Sequence, residues 1–267
     1  MSNFLKRWAV FVVLVGVWQG FAGFYDDPFF PPPTKIGEAA YELWLTGPPE
    51  ALFLTDVVYN DLTASLGKLL GGWAIASVVG IALGVALGRS QTALEFVGPV
   101  LTFMRSIPPP ALVPVFMLLF KIGPAMQVAT IVFGILWPIL LNTIDGARSV
   151  DATKVETSKV FRVPKHQWVF GVVLPSAAPK IFAGLRVSLS LSLVLMVVSE
   201  LVGTNNGIGA QLLLAQREFD YADMWAGIVL LGVIGYAFNS ALMLLERRVL
   251  GWQPKQEQAK SARLATV

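Results

Sequence analysis

The groups able to do chemistry in this chain are few, and they fall in two places. The first is segment 155–175, VETSKVFRVPKHQWVFGVVLP, a basic polar stretch between long apolar runs. Its charged side chains include Glu156, Lys159, Arg162 and Lys165. It reads as a docking surface for a soluble partner. The second is a set of ionisable residues inside apolar stretches: Lys68, Arg105 and Glu200, with Pro108 beside Arg105. An ionisable group at membrane depth is expensive and is a functional hypothesis by default. Lys68 could attract an anion, snorkel to the surface or pair with a buried carboxylate. Glu200 opens a turn-rich stretch to Gly209, which reads either as an outer gate or as a loop ordered by a carboxylate.

Other chemistries lack their parts. There are no cysteines and one histidine, His166, so thiolate and His-cluster metal sites are excluded and no metal or cofactor is expected. No G-x-x-x-x-G-K-[ST] cradle for nucleotide phosphate occurs. No catalytic constellation of intramembrane His, Asp or Cys is visible, which argues against a membrane-embedded enzyme.

The elements that must position these groups follow from composition. The 267 residues are 55% hydrophobic and 14% charged, against about 25% charge in soluble domains. Crossing a hydrocarbon core of about 30 Å takes roughly 20 apolar helical residues. Six windows qualify: 8–24, 62–87, 96–120, 125–144, 181–202 and 224–245. The expectation is an all-α polytopic membrane protein, one transmembrane domain over 1–252, and a disordered tail over 253–267. Lys6 and Arg7 precede the first window, but no A-x-A cleavage site follows, so it reads as a retained helix. Fifteen Lys and Arg fall on the side of the termini against three, Lys35, Lys121 and Arg217, on the other. The excess of positive charge marks the cytosol, so both termini and loop 145–180 belong there. The outer loop to Asp61 is acidic. It carries Pro31–Pro33 and a short helix from Thr34, with Thr34 as N-cap.

Within the spans, Ala76, Gly80, Gly84 and Gly88 recur every four residues, and Gly67 and Gly71 add a further pair. Small residues let helices approach closely in lipid, within one subunit or across a dimer. Ser106 to Pro110 breaks the third span with three successive prolines. Such backbone belongs in a protein-lined cavity or at the wet interface. In the central segment, Thr153 and Glu156 fit a capping box, and Pro164 disfavours helix at Val163. A short helix over about 152–162 follows, with Pro175 returning the chain to the membrane.

At these residues the chain resembles the permeases of bacterial ABC importers, and in detail the nitrate/sulfonate/bicarbonate/taurine branch. Glu156-Thr157-Ser158 stands where that family carries its E-A-A signature, and Val172-Val173-Leu174-Pro175 where the signature ends. Arg162 stands at the usual glycine, a departure from the pattern. The flanks 141–148 and 175–186, Ser199-Glu200 with Gly207-Ile208-Gly209, segment 105–114 and the terminal 245–252 are similar too. The resemblance implies a coupling loop built on Glu156, Thr157, Ser158, Lys159, Arg162, Pro164, Leu174 and Pro175. It implies two cytosolic ATPase subunits gripping that loop, a second permease copy, and an extracytoplasmic binding protein delivering a small anion. It places the chain in a bacterial inner membrane, with lipid but no nucleic acid as a further partner, and assigns ATP hydrolysis to another chain. Glu200, Lys68, Arg105 and Pro108 are the candidates for a gate or substrate path. The rival reading is an autonomous channel or an ion-coupled secondary transporter, which would favour inverted repeats or a charged helix pair.

Overall fold

A computed structural model describes residues 2–25, 27–202 and 206–252. The disordered-tail expectation for 253–267 lies outside them. Among the described residues there is no strand. Five helices are long and apolar enough to cross a membrane, with a broken helix pair as a sixth candidate. The helices are α1 (Ser2–Tyr25), α2 (Pro33–Leu45), α3 (Thr63–Gly88), α4 (Gln91–Arg105), α5 (Val113–Phe120), α6 (Pro124–Arg148), α7 (Ala152–Val160), α8 (Lys165–Trp168), α9 (Leu174–Glu200), α10 (Ile208–Glu218) and α11 (Tyr221–Val249). The broken pair is α4 and α5: the chain leaves helix after Arg105 and re-enters through a 3₁₀ turn, Pro109–Leu112. The prolines remove the amides that would carry α4 onward.

The chain divides into two compact units, and α3, α6, α9 and α11 each contribute to both. The first unit comprises the residues up to Gly72, Pro109–Ile131 and Leu193–Ile234. Its apolar centre sets Ile36 and Ala39 of α2 against Ala226 of α11, with Trp18 and Trp225 packed around them. The Trp225 indole donates to the Phe29 carbonyl at 3.0 Å, so an apolar ring is held with its polar edge satisfied. Thr34 does not cap α2. The helix starts one residue earlier at Pro33, behind Pro32, whose ring supplies helical φ but no side-chain acceptor. The free Thr34 amide is met by the Gln19 side chain at 3.1 Å, and Gln19 donates back to the Thr34 hydroxyl at 3.2 Å.

The second unit comprises Trp73–Pro108, Val132–Ser192 and the chain from Gly235. Here the small-residue stripe of α3 is packing within the subunit. A Cβ on Gly80 would lie 2.9 Å from an Ile139 methyl, one on Gly84 2.5 Å from Thr143 Cβ, and one on Gly88 2.8 Å from Ala147 Cβ, all on α6. Gly146 of α6 lies as tightly on Ala177 of α9, and Gly184 of α9 on the Pro138 carbonyl. Side chains at these positions would force helices apart that gain their association from close contact. The Trp73 indole donates to the Ser188 hydroxyl at 3.0 Å, and Arg186 of α9 is ion-paired with Glu246 of α11.

Candidate functional site

In the second unit the central segment is ordered from its inner side. Asp151 precedes α7, and its carboxylate accepts the Thr153 amide at 2.8 Å. The expected Thr153–Glu156 capping box therefore does not form: the cap is two residues earlier, and Glu156 is exposed with no side-chain hydrogen bond or ion pair among the described residues. The Thr157 hydroxyl donates to the Thr153 carbonyl at 2.7 Å and the Ser158 hydroxyl to the Val155 carbonyl at 2.7 Å. Both spend their polarity inside the helix, and Lys159 is exposed.

The end of α7 explains Arg162. The Val163 amide donates to the Ser158 carbonyl at 2.9 Å and the Arg162 amide to the Lys159 carbonyl at 3.1 Å. This nested pair is the Schellman helix end, whose turning residue takes left-handed φ and is usually glycine. Arg162 is that residue, with φ of 50°. The sharp turn is thus made by Arg162 itself, and Pro164 follows as the N-cap of α8.

Beyond α8 the chain winds through a π turn, Val169–Val173, directly into α9. The sequence has the chain return to the membrane at Pro175, whereas the helical run begins earlier. Lys165–Glu200 runs as one continuous apolar span candidate, so the helix begins well before residue 181. The wide π turn spreads the carbonyls beneath the Pro175 ring and lets proline sit in the second position of α9 without breaking the rod. Val173 is fully buried with Val85, Ala147 and Val150, and Val155 of α7 and Trp168 of α8 pack against this cluster. The outer side is different: Val160 is 77% exposed, Phe161 75% and Phe170 71%. Phe170 lies within that span candidate, whereas Val160 and Phe161 stand at the end of α7.

Arg89, one residue beyond α3, was not among the sequence candidates. Its guanidinium donates to the Ala147 carbonyl near the end of α6 at 3.2 Å and lies 5.5 Å from the centroid of the Trp168 ring. No local sequence signal marks it, because its partners lie 58 and 79 residues further along the chain.

In the first unit, Lys68 and Glu200 come together. The ammonium lies 2.5 Å from Glu200 Oε1, and the carboxylate is fully buried. Of the three readings for Lys68, pairing with a buried carboxylate is the one observed. Ser65 donates to the same oxygen at 2.6 Å and accepts the Ile208 amide at 2.9 Å. Glu200 Oε2 accepts the Gly209 amide at 2.8 Å. Asp61 accepts the Gly207 amide at 2.7 Å and the Gln211 side-chain amide at 2.7 Å. Three of the four free amides that open α10 are therefore capped by side chains from α3, α9 and the turn before α3. Two carboxylates face the positive end of its dipole. Gly207 has φ of 122°, and a Cβ there would lie 2.5 Å from the Glu200 carboxyl carbon. The glycines are what let the backbone reach the carboxylate. Asp61, grouped by sequence with the acidic outer loop, is 7% exposed. The gate expectation for 200–209 includes residues 203–205, outside the described set. Arg105 and Pro108 are exposed, and the Arg105 side chain has no hydrogen bond or ion pair among the described residues. Arg105 closes α4, where a cation suits the negative helix end.

Residues 76–251 match the family described as the binding-protein-dependent transport system inner membrane component. The chain belongs to that family. It is a permease subunit of an ABC importer and a multi-pass inner-membrane protein. The permease is 30% identical over 247 residues to a Bacillus subtilis (strain 168) chain named as the aliphatic sulfonates transport permease SsuC, covering 92% of this chain and 86% of that one. It is 28% identical to the taurine transport system permease protein TauC of Escherichia coli (strain K12), over 90% of this chain and 86% of the other. In fold it is similar to a chain of the inward-facing MetNI methionine ABC transporter, with a TM-score of 0.62 at 20% identity, covering 71% of the permease and 94% of that chain.

Proposed function

We propose that this permease, as one of two identical copies, carries a small anion of the sulfonate, nitrate or taurine kind, handed over by an extracytoplasmic binding protein. Two cytosolic ATPase subunits dock on the pair, one on segment 152–175 of each copy, and both chain termini share their compartment. The names of its relatives support the cargo class, and the excess of Lys and Arg on one side supports the orientation. ATP hydrolysis falls to the partner, since the chain carries no phosphate cradle.

The observation that carries the docking assignment is the two-sided character of α7. Its ends and inner side are fixed by Asp151, the Arg162 turn and the buried valines, while Val160 and Phe161 stand exposed. The test is co-purification of the tagged permease from native membranes in mild detergent, beside Glu156→Arg and Phe161→Asp variants. An ATPase retained by the wild type and lost from either variant supports the assignment. A permease that emerges alone under several detergents argues for an autonomous channel or secondary transporter.

Lys68 and Glu200 serve the path as the clamp on α10 and not as ligands for cargo. The Lys68 ammonium meets Glu200, and the Glu200 carboxylate also accepts the Ser65 hydroxyl and the Gly209 amide. An anion competing for Lys68 would strand a buried carboxylate.

A further inference from the structure

We propose that Arg89 is a positioning residue for energy coupling: through Trp168 it ties the return limb of the central segment to the ends of α3 and α6. This rests on the docking assignment above and adds a residue outside the docking surface. The geometry is specific. Arg89 leaves the last turn of α3, where Val85 is buried against Ala147, Val150 and Val173. From there its guanidinium reaches two targets at once, the Ala147 carbonyl at 3.2 Å and the Trp168 ring at 5.5 Å. A planar fork can donate along its edge while its face or rim meets an aromatic ring, which a lysine ammonium does not reproduce. Trp168 is the last residue of α8 and leads into the π turn that becomes α9. A displacement of α7 therefore meets a braced joint, and motion passes into the long helices instead of being absorbed at α8. Without Arg89 the joint keeps its buried valines, so the fold and the exposed docking face persist while the brace is gone.

The absence of cysteine makes the test direct. Leu52, exposed in the segment before α3, is replaced by cysteine and labelled with an environment-sensitive fluorophore. The assembled importer is reconstituted in lipid nanodiscs, and the fluorescence change on adding ATP and vanadate is read together with ATP hydrolysis. In Arg89→Gln, ATPase binding and basal hydrolysis are expected within about twofold of wild type, with the fluorescence response reduced at least threefold; in Trp168→Leu the response per bound ATPase is expected to fall to the same extent. Trp168→Phe is expected to keep most of the response, and the double variant to lose no more than either single one. A full response in Arg89→Gln or Trp168→Leu overturns the proposal. Loss of ATPase binding in Arg89→Gln also overturns it, since Arg89 would then build the docking face. Arg148→Gln, removing a nearby charge at the end of α6, controls for charge alone and is expected to respond like wild type. Failure of the docking assignment reads differently: no ATPase then accompanies the wild-type permease.

Discussion

At residue scale the most exposed cost is Arg162. A non-glycine residue in left-handed backbone carries a penalty of about 1 kcal/mol, here at φ of 50°. Arg162→Gly is expected to stabilise α7 without disturbing its bonds, raising amide protection of Val163, read by hydrogen exchange in detergent. The gain is diluted by the greater freedom of glycine in the unfolded chain. The opposite end of α7 depends on pH. Hydrogen bonding to the Thr153 side chain, and then to the Thr153 and Lys154 amides, holds the Asp151 carboxyl below its ordinary 3.8. Its contribution is complete above that value and disappears as pH falls through the lower folded value. Protection of the Thr153 amide should stay level from pH 8 to about pH 5 and fall only in stronger acid, and Asp151→Asn should flatten that fall.

At element scale the opening of α10 is built by residues that lie far apart in sequence. Lys68→Met would leave Glu200 buried without its cation, a loss of about 3–5 kcal/mol, and little folded permease should survive extraction. Adding Glu200→Gln removes the stranded charge while keeping an acceptor for the Gly209 amide. The double variant should recover a large part of the thermal stability, as measured by size-exclusion survival after heating. Sequence reading reached α3 and α9 because hydropathy specifies them, and missed α10, which follows a stretch read only as turn-rich. It reached Lys68 and Glu200 because charge at membrane depth is conspicuous. It missed Asp61 and Ser65, since a carboxylate and a hydroxyl at a span's edge look like loop residues until the amides they cap are in view. The same blindness put the α7 cap on Thr153. A capping box and an Asp cap share the local pattern of polar residues before a helix, and only the observed Thr153 amide bond separates them. Pro175 misled for another reason: a π turn leaves no hydropathy mark.

At the scale of the whole molecule, burial grades the helices. Half of the most apolar window in Lys165–Glu200 is buried, against 6% for α1 and 11% for α11. The last two therefore have few residues fully enclosed by the chain. Charge placement gives the orientation a direct check. A cysteine at Lys35 should react with an impermeant maleimide in intact cells, whereas one at Lys159 should react only after permeabilisation; the reverse pattern would invert the proposed topology. The α10 opening also bears on how such chains diverge. Asp61, Ser65, Lys68, Glu200, Gly207 and Gly209 are linked by shared hydrogen bonds, an ion pair and close contacts, with Ile208 and Gln211 as further partners, so a change at one leaves another short of a partner. In a saturation scan these six positions should be intolerant as a block, amid apolar neighbours that exchange freely. Where descendants do escape the block, several of the six should have changed in the same lineage, leaving a covarying signature across 140-odd residues of sequence.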